Sequence, residues 1–493
     1  MSRLVLYNPP SSANRKPVLP MSLLALGALL EGRHEYRIVD GNLEPDPLAA
    51  LDAAIREDRA DILAVTVMPG PQLANAVPVC RELKARHPHL TVVWGGYFPT
   101  QHYDVCLRAP FVDVVVRGHG ERVFADLVDA LHRGDVPAAG PGLAVRDPAS
   151  GEVTAGNVAA IPHPRELPGF PYHRVPMARY PRRTFLGRRT LAHHSSYGCP
   201  FFCNFCAVVN LVGGRWLAQS AEQTAAVVHR LVQDWGVDAV EFYDNNFFVQ
   251  EARAAEFAER VARLGVAWWG EGRIDTLLRY SERTWTRMGG AGLKMVFLGA
   301  ESGSDETLKR MNKGGGASAE KTLEIAAKMR HLKIVPEFSF VLGNPPDPRG
   351  DTEATLAFVR RVKRVNPVAE IILYIYTPVP LAGTLYDEAK VSGFAFPETL
   401  EEWVGAAWQE FSQRRSTRMP WLDDPIRRKA HDFERVLNAY YPTATDAKLT
   451  RFWRGVLKTA SAWRYHLRVY RHPIELRALH KLVAYQRPET SGF

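Results

Sequence analysis

Hydrophobic and polar positions follow two separate rhythms along this chain. Over residues 1–145, short β-branched runs at 4–7, 37–39, 62–66, 91–94 and 112–116 read as buried strands. Between them, apolar residues recur at helical spacing over 22–31, 47–57 and 73–86. That order predicts an α/β unit built on a doubly wound, flavodoxin- or Rossmann-like parallel sheet. Ligands of such sheets sit at the carboxyl ends of the strands, so the loops 66–72 and 95–100 mark a candidate site.

Residues 146–188 interrupt the rhythm with Pro162, Pro164, Pro168, Pro171, Pro176 and Pro181, the composition of an extended linker. A second α/β rhythm fills 189–390. Its strands are expected at 190–195, 239–243, 267–271, 295–298, 336–342 and 371–376, with helices such as 221–235 and 252–264 between them. Strands alternating with helices in this way predict a partial (β/α)6 barrel, with its working residues at the carboxyl ends of the strands. Residues 391–493 read as a helical extension that lids the barrel mouth.

Composition keeps this picture and adds little. With 46% apolar and 23% charged residues among 493, the chain has the balance of a globular protein of two or three domains. It opens on a strand-like run instead of a signal peptide, and the apolar stretch 18–30 is too short to span a bilayer. Three of the five cysteines are clustered, which suits a reducing cytoplasm better than a disulfide scaffold.

Charge does change the picture. Of the net +9, residues 449–493 hold nine Lys/Arg against Glu475 and Glu489, a local +7. They interleave Phe452, Trp453, Trp463, Tyr465, Tyr470 and Tyr485. Such a tail suits an anionic membrane surface or an acidic substrate, or else a helical face packed on the rest of the chain. With no nucleic-acid motif present, no nucleic-acid partner is expected.

The candidate chemistry lies in Tyr197-Gly198-Cys199-Pro200-Phe201-Phe202-Cys203-Asn204-Phe205-Cys206, a C-x3-C-x2-C spacing. Three thiolates this close can wrap one loop around a metal cluster. A [4Fe–4S] cube usually takes four Cys, so three leave one iron open to a small molecule. This spacing, with Phe205 before the last Cys, resembles the radical SAM superfamily. The resemblance implies that Cys199, Cys203 and Cys206 hold the cube and that the open iron chelates S-adenosylmethionine. It further implies an external electron donor, a flavodoxin or ferredoxin, and a 5′-deoxyadenosyl radical.

Upstream, the runs Asn8-Pro9-Pro10, Val39-Asp40-Gly41-Asn42, Trp94-Gly95-Gly96-Tyr97-Phe98-Pro99-Thr100 and the stretch from Val112 to Glu121 resemble the cobalamin-binding domains that precede many radical SAM domains. Gly95 and Gly96 lack a Cβ and let backbone approach a planar ligand, with Thr66 on the neighbouring loop. The D-x-H-x-x-G motif, whose His ligates cobalt in other cobalamin proteins, is absent. That implies cobalt bound without a protein His, and the Gly-His-Gly-Glu setting of His119 reads as a turn.

The same resemblance gathers Phe205, Asp244, Arg273, Glu301 and Ser302 around S-adenosylmethionine. Asp244, in the run Glu241 to Phe247, would bond a ribose or order a loop. Arg273 would clamp the methionyl carboxylate or bridge to Asp275. Glu301 and Ser302 would reach the amino group or ribose, and Lys313 would cap a helix. His193 and His194 should point to opposite faces of their strand.

The two cofactors together imply a cobalamin-dependent C-methyltransferase acting on an unactivated carbon of a hydrophobic or anionic small molecule, lipid or tetrapyrrole. One alternative is a ring-forming enzyme of the anaerobic Mg-protoporphyrin ester cyclase type, without methyl transfer. Another is a non-catalytic cobalamin-sensing protein. The expected location is the cytoplasm, with peripheral membrane contact through the basic tail.

Overall fold

The computed structural model describes residues 1–11, 17–147, 149–313, 316–381, 383–412, 419–446 and 449–483. Gly314, Ala382, Tyr485 and Glu489 lie outside them.

The first sheet runs β1 (Arg3–Asn8), β2 (Glu35–Asp40), β3 (Ile62–Thr66), β4 (Thr91–Gly95) and β5 (Val114–Val116), all parallel, in the order 2-1-3-4-5. Side-chain alternation divides its residues cleanly. Leu4, Leu6, Ile62, Ala64, Val93 and Val114 feed one core, while Val5, Tyr7, Leu63, Val65, Val92 and Trp94 feed another on the opposite face. Helices on both faces explain why the strands read as continuous apolar runs. The helix Pro47–Asp58 starts where Asp46 accepts the Ala49 N–H at 3.1 Å, with Pro47 preset for the first turn.

Two short antiparallel strands, β6 (Leu143–Arg146) and β7 (Val153–Ala155), extend this sheet beyond β5. The stretch expected to begin a linker at 146 thus starts as a hairpin, turned by Asp147 accepting the Ser150 N–H at 2.7 Å. The proline-rich part that follows forms single 3-10 turns. Tyr172, Met177 and Tyr180 are buried there against the barrel helices, and the Tyr180 hydroxyl donates to Asp40 at 3.0 Å.

Next come β8 (Thr190–His193), β9 (Ser196–Gly198), β10 (Trp216–Ala218), β11 (Ala239–Phe242), β12 (Ala267–Gly272), β13 (Leu293–Glu301), β14 (Val335–Leu342) and β15 (Glu370–Ile375). β8 and β11–β15 form a six-stranded parallel sheet in chain order, and β9 pairs with β10 alone. The helix Ala221–Trp235 opens on a reciprocal Ser220–Gln223 capping box and ends at Gly236 in the left-handed region, φ 60°.

Among the described residues, most of the helical extension packs on the flanks, and Trp421 is the part that joins Phe205, Met311 and Tyr376 at the barrel mouth. The helices Leu400–Trp403 and Ala406–Ser412 pack on the first unit, where Trp403 meets Phe98 and His102 at ring separations of 5.1 and 4.7 Å. The helix Asp424–Tyr440 packs on the outer barrel helix Pro348–Val365, and Arg451–Leu467 packs on Asp424–Tyr440. Aromatic residues draw it sideways onto apolar flanks, and Trp421 approaches a strand end, donating to the Gly343 carbonyl at 3.0 Å. Among the described residues, no helix is long and apolar enough to cross a membrane.

Candidate active site

The three cysteines lie between β9 and β10, whose pairing of Gly198 with Trp216 closes the base of the loop. Asn204 and Asn312 fasten it to the far side of the barrel. The Asn204 N–H donates to the Met311 carbonyl and its side chain to the Arg310 carbonyl, both at 2.9 Å, while Asn312 donates to the Phe202 carbonyl at 2.7 Å. Cys203 is buried; Cys199 and Cys206 are half-buried. Strand ends aim N–H donors at the sulfurs: Arg273 at 3.5 Å from Cys203 Sγ, and Asn246 at 3.9 Å from Cys199 Sγ. Burial pushes the Cys199 thiol up, so a stable thiolate there needs a metal cation beside it. Among the described residues, no His, Cys, Asp or Glu side chains stand as a finished metal-ligating group of three. The thiol donor set with N–H groups around it fits an iron–sulfur cluster.

Arg273 stands at the centre of this region. It is bidentate to Asp275 at 3.0 and 3.1 Å, donates to the Lys313 carbonyl, and lies flat over Phe201 at 3.8 Å from the ring centroid. Burial opposes its charge, but the Asp275 carboxylate more than offsets that and raises its pKa. The expected alternative of a bridge to Asp275 is therefore the arrangement seen.

Glu301 ends β13 at φ 63°, where the pairing with β14 slips register. A non-glycine residue held there is unusual and marks a constrained site. Its carboxylate meets Lys313 Nζ at 2.5 Å, both side chains buried. A Cβ at Gly299 would come 2.1 Å from Glu301 Oε1, so glycine makes room for the pair. Lys313, expected to cap a helix, instead neutralises Glu301 and lies 5.7 Å from the Phe205 ring.

Asp244 takes the second of its two expected roles, and the expectation for Ser302 needs correction. Asp244 is fully buried, and its oxygens accept from the Ser195 N–H at 2.6 Å, the Ser195 hydroxyl at 2.5 Å and the Ser196 hydroxyl at 2.7 Å. It orders the approach to the cysteine loop, and both its oxygens are engaged there. Ser302 is also fully buried; its hydroxyl bonds Asp351 at 3.1 Å and Thr355 at 3.2 Å, on the outer helix. The left-handed turn at Glu301 sends the next side chain out of the barrel. His193 lies on the outer face between Phe170 and Phe242, and His194 lies on the opposite face beside Tyr243.

The first unit presents a cleft of about 150 Å³ at the carboxyl ends of its strands, lined by Ser22, Thr66, Gly95, Gly96, His119 and Glu121 among others. Gly96 has φ 100°, and a Cβ there would sit 3.1 Å from the Val67 nitrogen and 3.2 Å from Thr66 Oγ1. Glu121 is 6% exposed; its Oε1 lies 3.8 Å from His119 Nδ1, and its Oε2 has no hydrogen-bond partner among the described residues. A buried acceptor among apolar walls fits a ligand carrying amide donors, as a corrin does. His119, read from sequence as a turn, packs against Tyr197 with ring centroids 4.6 Å apart and the rings tilted by 37°. Tyr197 leads directly into the cysteine loop, so the two candidate cofactor regions adjoin. The glycines flanking His119 at a strand end were the available signal, and they did not reveal this contact.

Residues 15–128 match the B12 binding domain, and residues 194–359 match the Radical SAM superfamily. The chain is a cobalamin-dependent radical SAM enzyme. Its cofactors are accordingly a [4Fe–4S] cluster, S-adenosylmethionine and cobalamin. This radical SAM enzyme is 27% identical over 375 residues to an uncharacterized methyltransferase of Pyrococcus horikoshii, covering 73% of the chain and 78% of that protein. It is 26% identical over 333 residues to the anaerobic magnesium-protoporphyrin IX monomethyl ester cyclase of Synechocystis, covering 65% of each. It shares its fold with the radical S-adenosylmethionine methyltransferase TsrM of Kitasatospora setae, solved with tryptophan and a SAM analog. That match has a TM-score of 0.67 at 18% identity, with 98% of this chain and 100% of TsrM covered.

Proposed function

We propose that this enzyme methylates an unactivated carbon of a small hydrophobic or anionic molecule. The observation that carries the reading is the His119–Tyr197 ring contact, which sets the cobalamin-type cleft against the cysteine loop. When bound, the cluster and S-adenosylmethionine supply a radical that takes hydrogen from carbon, and cobalamin supplies the methyl group.

The chain's own residues do the holding and positioning. Cys199, Cys203 and Cys206 ligate the cluster. Arg273, fixed by Asp275 and Phe201, presents positive charge toward the sulfurs and the methionyl carboxylate. Glu301, with Lys313 and Phe205 beside it, forms the wall that receives the amino group or ribose. Gly95, Gly96 and Thr66 would form the floor under a corrin, and Glu121 would accept an amide hydrogen from it. Reduction comes from a flavodoxin or ferredoxin. A cytoplasmic location with peripheral attachment to a membrane completes the reading.

The cyclase relative supports a second reading, radical ring formation without methyl transfer. Anaerobic protein supplied with cobalamin, reduced and given S-adenosylmethionine, separates the two. Bound corrinoid with both 5′-deoxyadenosine and S-adenosylhomocysteine is the expected result. Corrinoid and deoxyadenosine without adenosylhomocysteine would favour cyclisation. Cys203→Ala should abolish both cluster assembly and deoxyadenosine formation, and retention of either after reconstitution would remove the cysteine assignment.

A further inference from the structure

The helix Arg451–Leu467 is the outer layer of the C-terminal flank; it packs on Asp424–Tyr440 and reaches the barrel helix Pro348–Val365 near its own C-terminal end, where Arg360 donates to the Tyr465 carbonyl at 2.7 Å. Its inner face buries Leu457, Ser461, Arg464 and Tyr465. On the other side, Phe452, Val456, Thr459, Trp463 and Leu467 recur every three or four residues and therefore line one stripe. Phe452 is 70% exposed, Trp463 48% and Leu467 69%. Large apolar side chains kept together in water on one face mark a surface built for a partner.

The charges on this surface select the partner. Arg451, Lys458, Arg468, Arg471 and Lys481 form no ion pair among the described residues, whereas Glu475, the one acid in 449–483, is held by Arg464. A second copy of the chain would set these cations against each other. An apolar stripe flanked by unpaired Lys and Arg, on a helix too polar to span a bilayer, matches a helix lying in a lipid interface.

We propose that the Phe452–Leu467 stripe docks on an anionic phospholipid surface. Phe452, Trp463 and Leu467 enter the boundary between headgroups and acyl chains, while Arg451, Lys458 and Arg468 meet lipid phosphates. This gives the peripheral attachment a defined surface and is independent of whether the enzyme transfers methyl groups.

The test is co-flotation of the full-length, cofactor-loaded enzyme with vesicles of phosphatidylcholine alone or mixed with phosphatidylglycerol. Binding should require the anionic lipid and weaken with salt. The double variants Phe452→Asp/Trp463→Asp and Arg451→Glu/Lys458→Glu should each lower it roughly tenfold or more. Their deoxyadenosine yields should stay at the unaltered enzyme's values, because these side chains lie on the outer surface; Trp463 meets Arg464 and Lys458 meets Tyr440, so the unfolding midpoints should shift by a few degrees at most. Absence of wild-type binding to the mixed vesicles, or equal binding by both variants, overturns the proposal. So does a dimer, seen by light scattering, that the apolar variant converts to monomer without change in flotation. The lipid dependence of the unaltered enzyme is read without any variant and does not depend on the methyl-transfer assay.

Discussion

Asp244 shows how one carboxylate can shape a site without facing its ligand. It accepts three hydrogen bonds from Ser195 and Ser196, immediately before β9 and the cysteine loop, and it lies at the carboxyl end of β11. Hydrogen bonds to a charged acceptor contribute about 1.5–3 kcal/mol each, and a buried donor left without its partner costs about 1–3 kcal/mol. Asp244→Ala should therefore lower the unfolding free energy by roughly 2–4 kcal/mol and reduce iron incorporation. A ribose contact predicts the opposite pattern: normal iron content and stability with a raised KM for S-adenosylmethionine. Iron content and thermal midpoint, measured on the same preparation, decide between them. The sequence placed Asp244, Arg273, Glu301 and Ser302 correctly at strand ends, because motif spacing reports position along a strand. It could not report which way each side chain turns. That depends on features such as φ 63° at Glu301, which sends Ser302 outward to Asp351.

Among elements, the strands of both parallel sheets were legible because burial on both faces demands continuous β-branched runs. The three-residue strands β7, β9 and β10 were not, since so few residues carry no periodicity and their pairing is fixed by tertiary neighbours. The packing of the extension on the first unit was equally hidden, although it has a measurable electrostatic consequence. His102, immediately before the helix Tyr103–Arg108, is enclosed by Phe98, Phe396 and Trp403. Burial there brings its pKa down to about 4 from 6.5, with Asp104 opposing slightly. Above pH 6.5 the ring is neutral folded or unfolded, and stability does not vary with this group. Between 6.5 and 4 the unfolded chain binds a proton that the folded one refuses, so stability falls, by about 3 kcal/mol in all. His102→Phe should flatten this part of the pH profile when denaturation is followed at several pH values from 7 to 4.5. An unchanged slope would mean that the ring is already protonated in the fold.

At the scale of the whole molecule, two α/β units and a helical wrap divide the chemistry between them. The sheet that forms the cobalamin-type cleft owes part of its core to residues far along the chain. Phe98 and His102 belong to one apolar cluster with Phe394, Phe396, Trp403, Phe411 and Leu422. During synthesis, the last strand of that sheet, Val153–Ala155, leaves the ribosome long before Leu422 does. At about 5–20 residues per second, the gap is on the order of 15–50 s. For that interval the nascent first unit shows an uncovered aromatic face to chaperones and proteases, and its cleft remains unsupported. Ribosome-stalled chains ending near residue 200 should be cleaved by protease within 97–108, whereas chains carried far enough to free Leu422 from the exit tunnel, as the released full-length chain is, should resist. The segment that looks like an appendage in the linear order therefore sets the time at which the first unit can mature and take up its corrinoid.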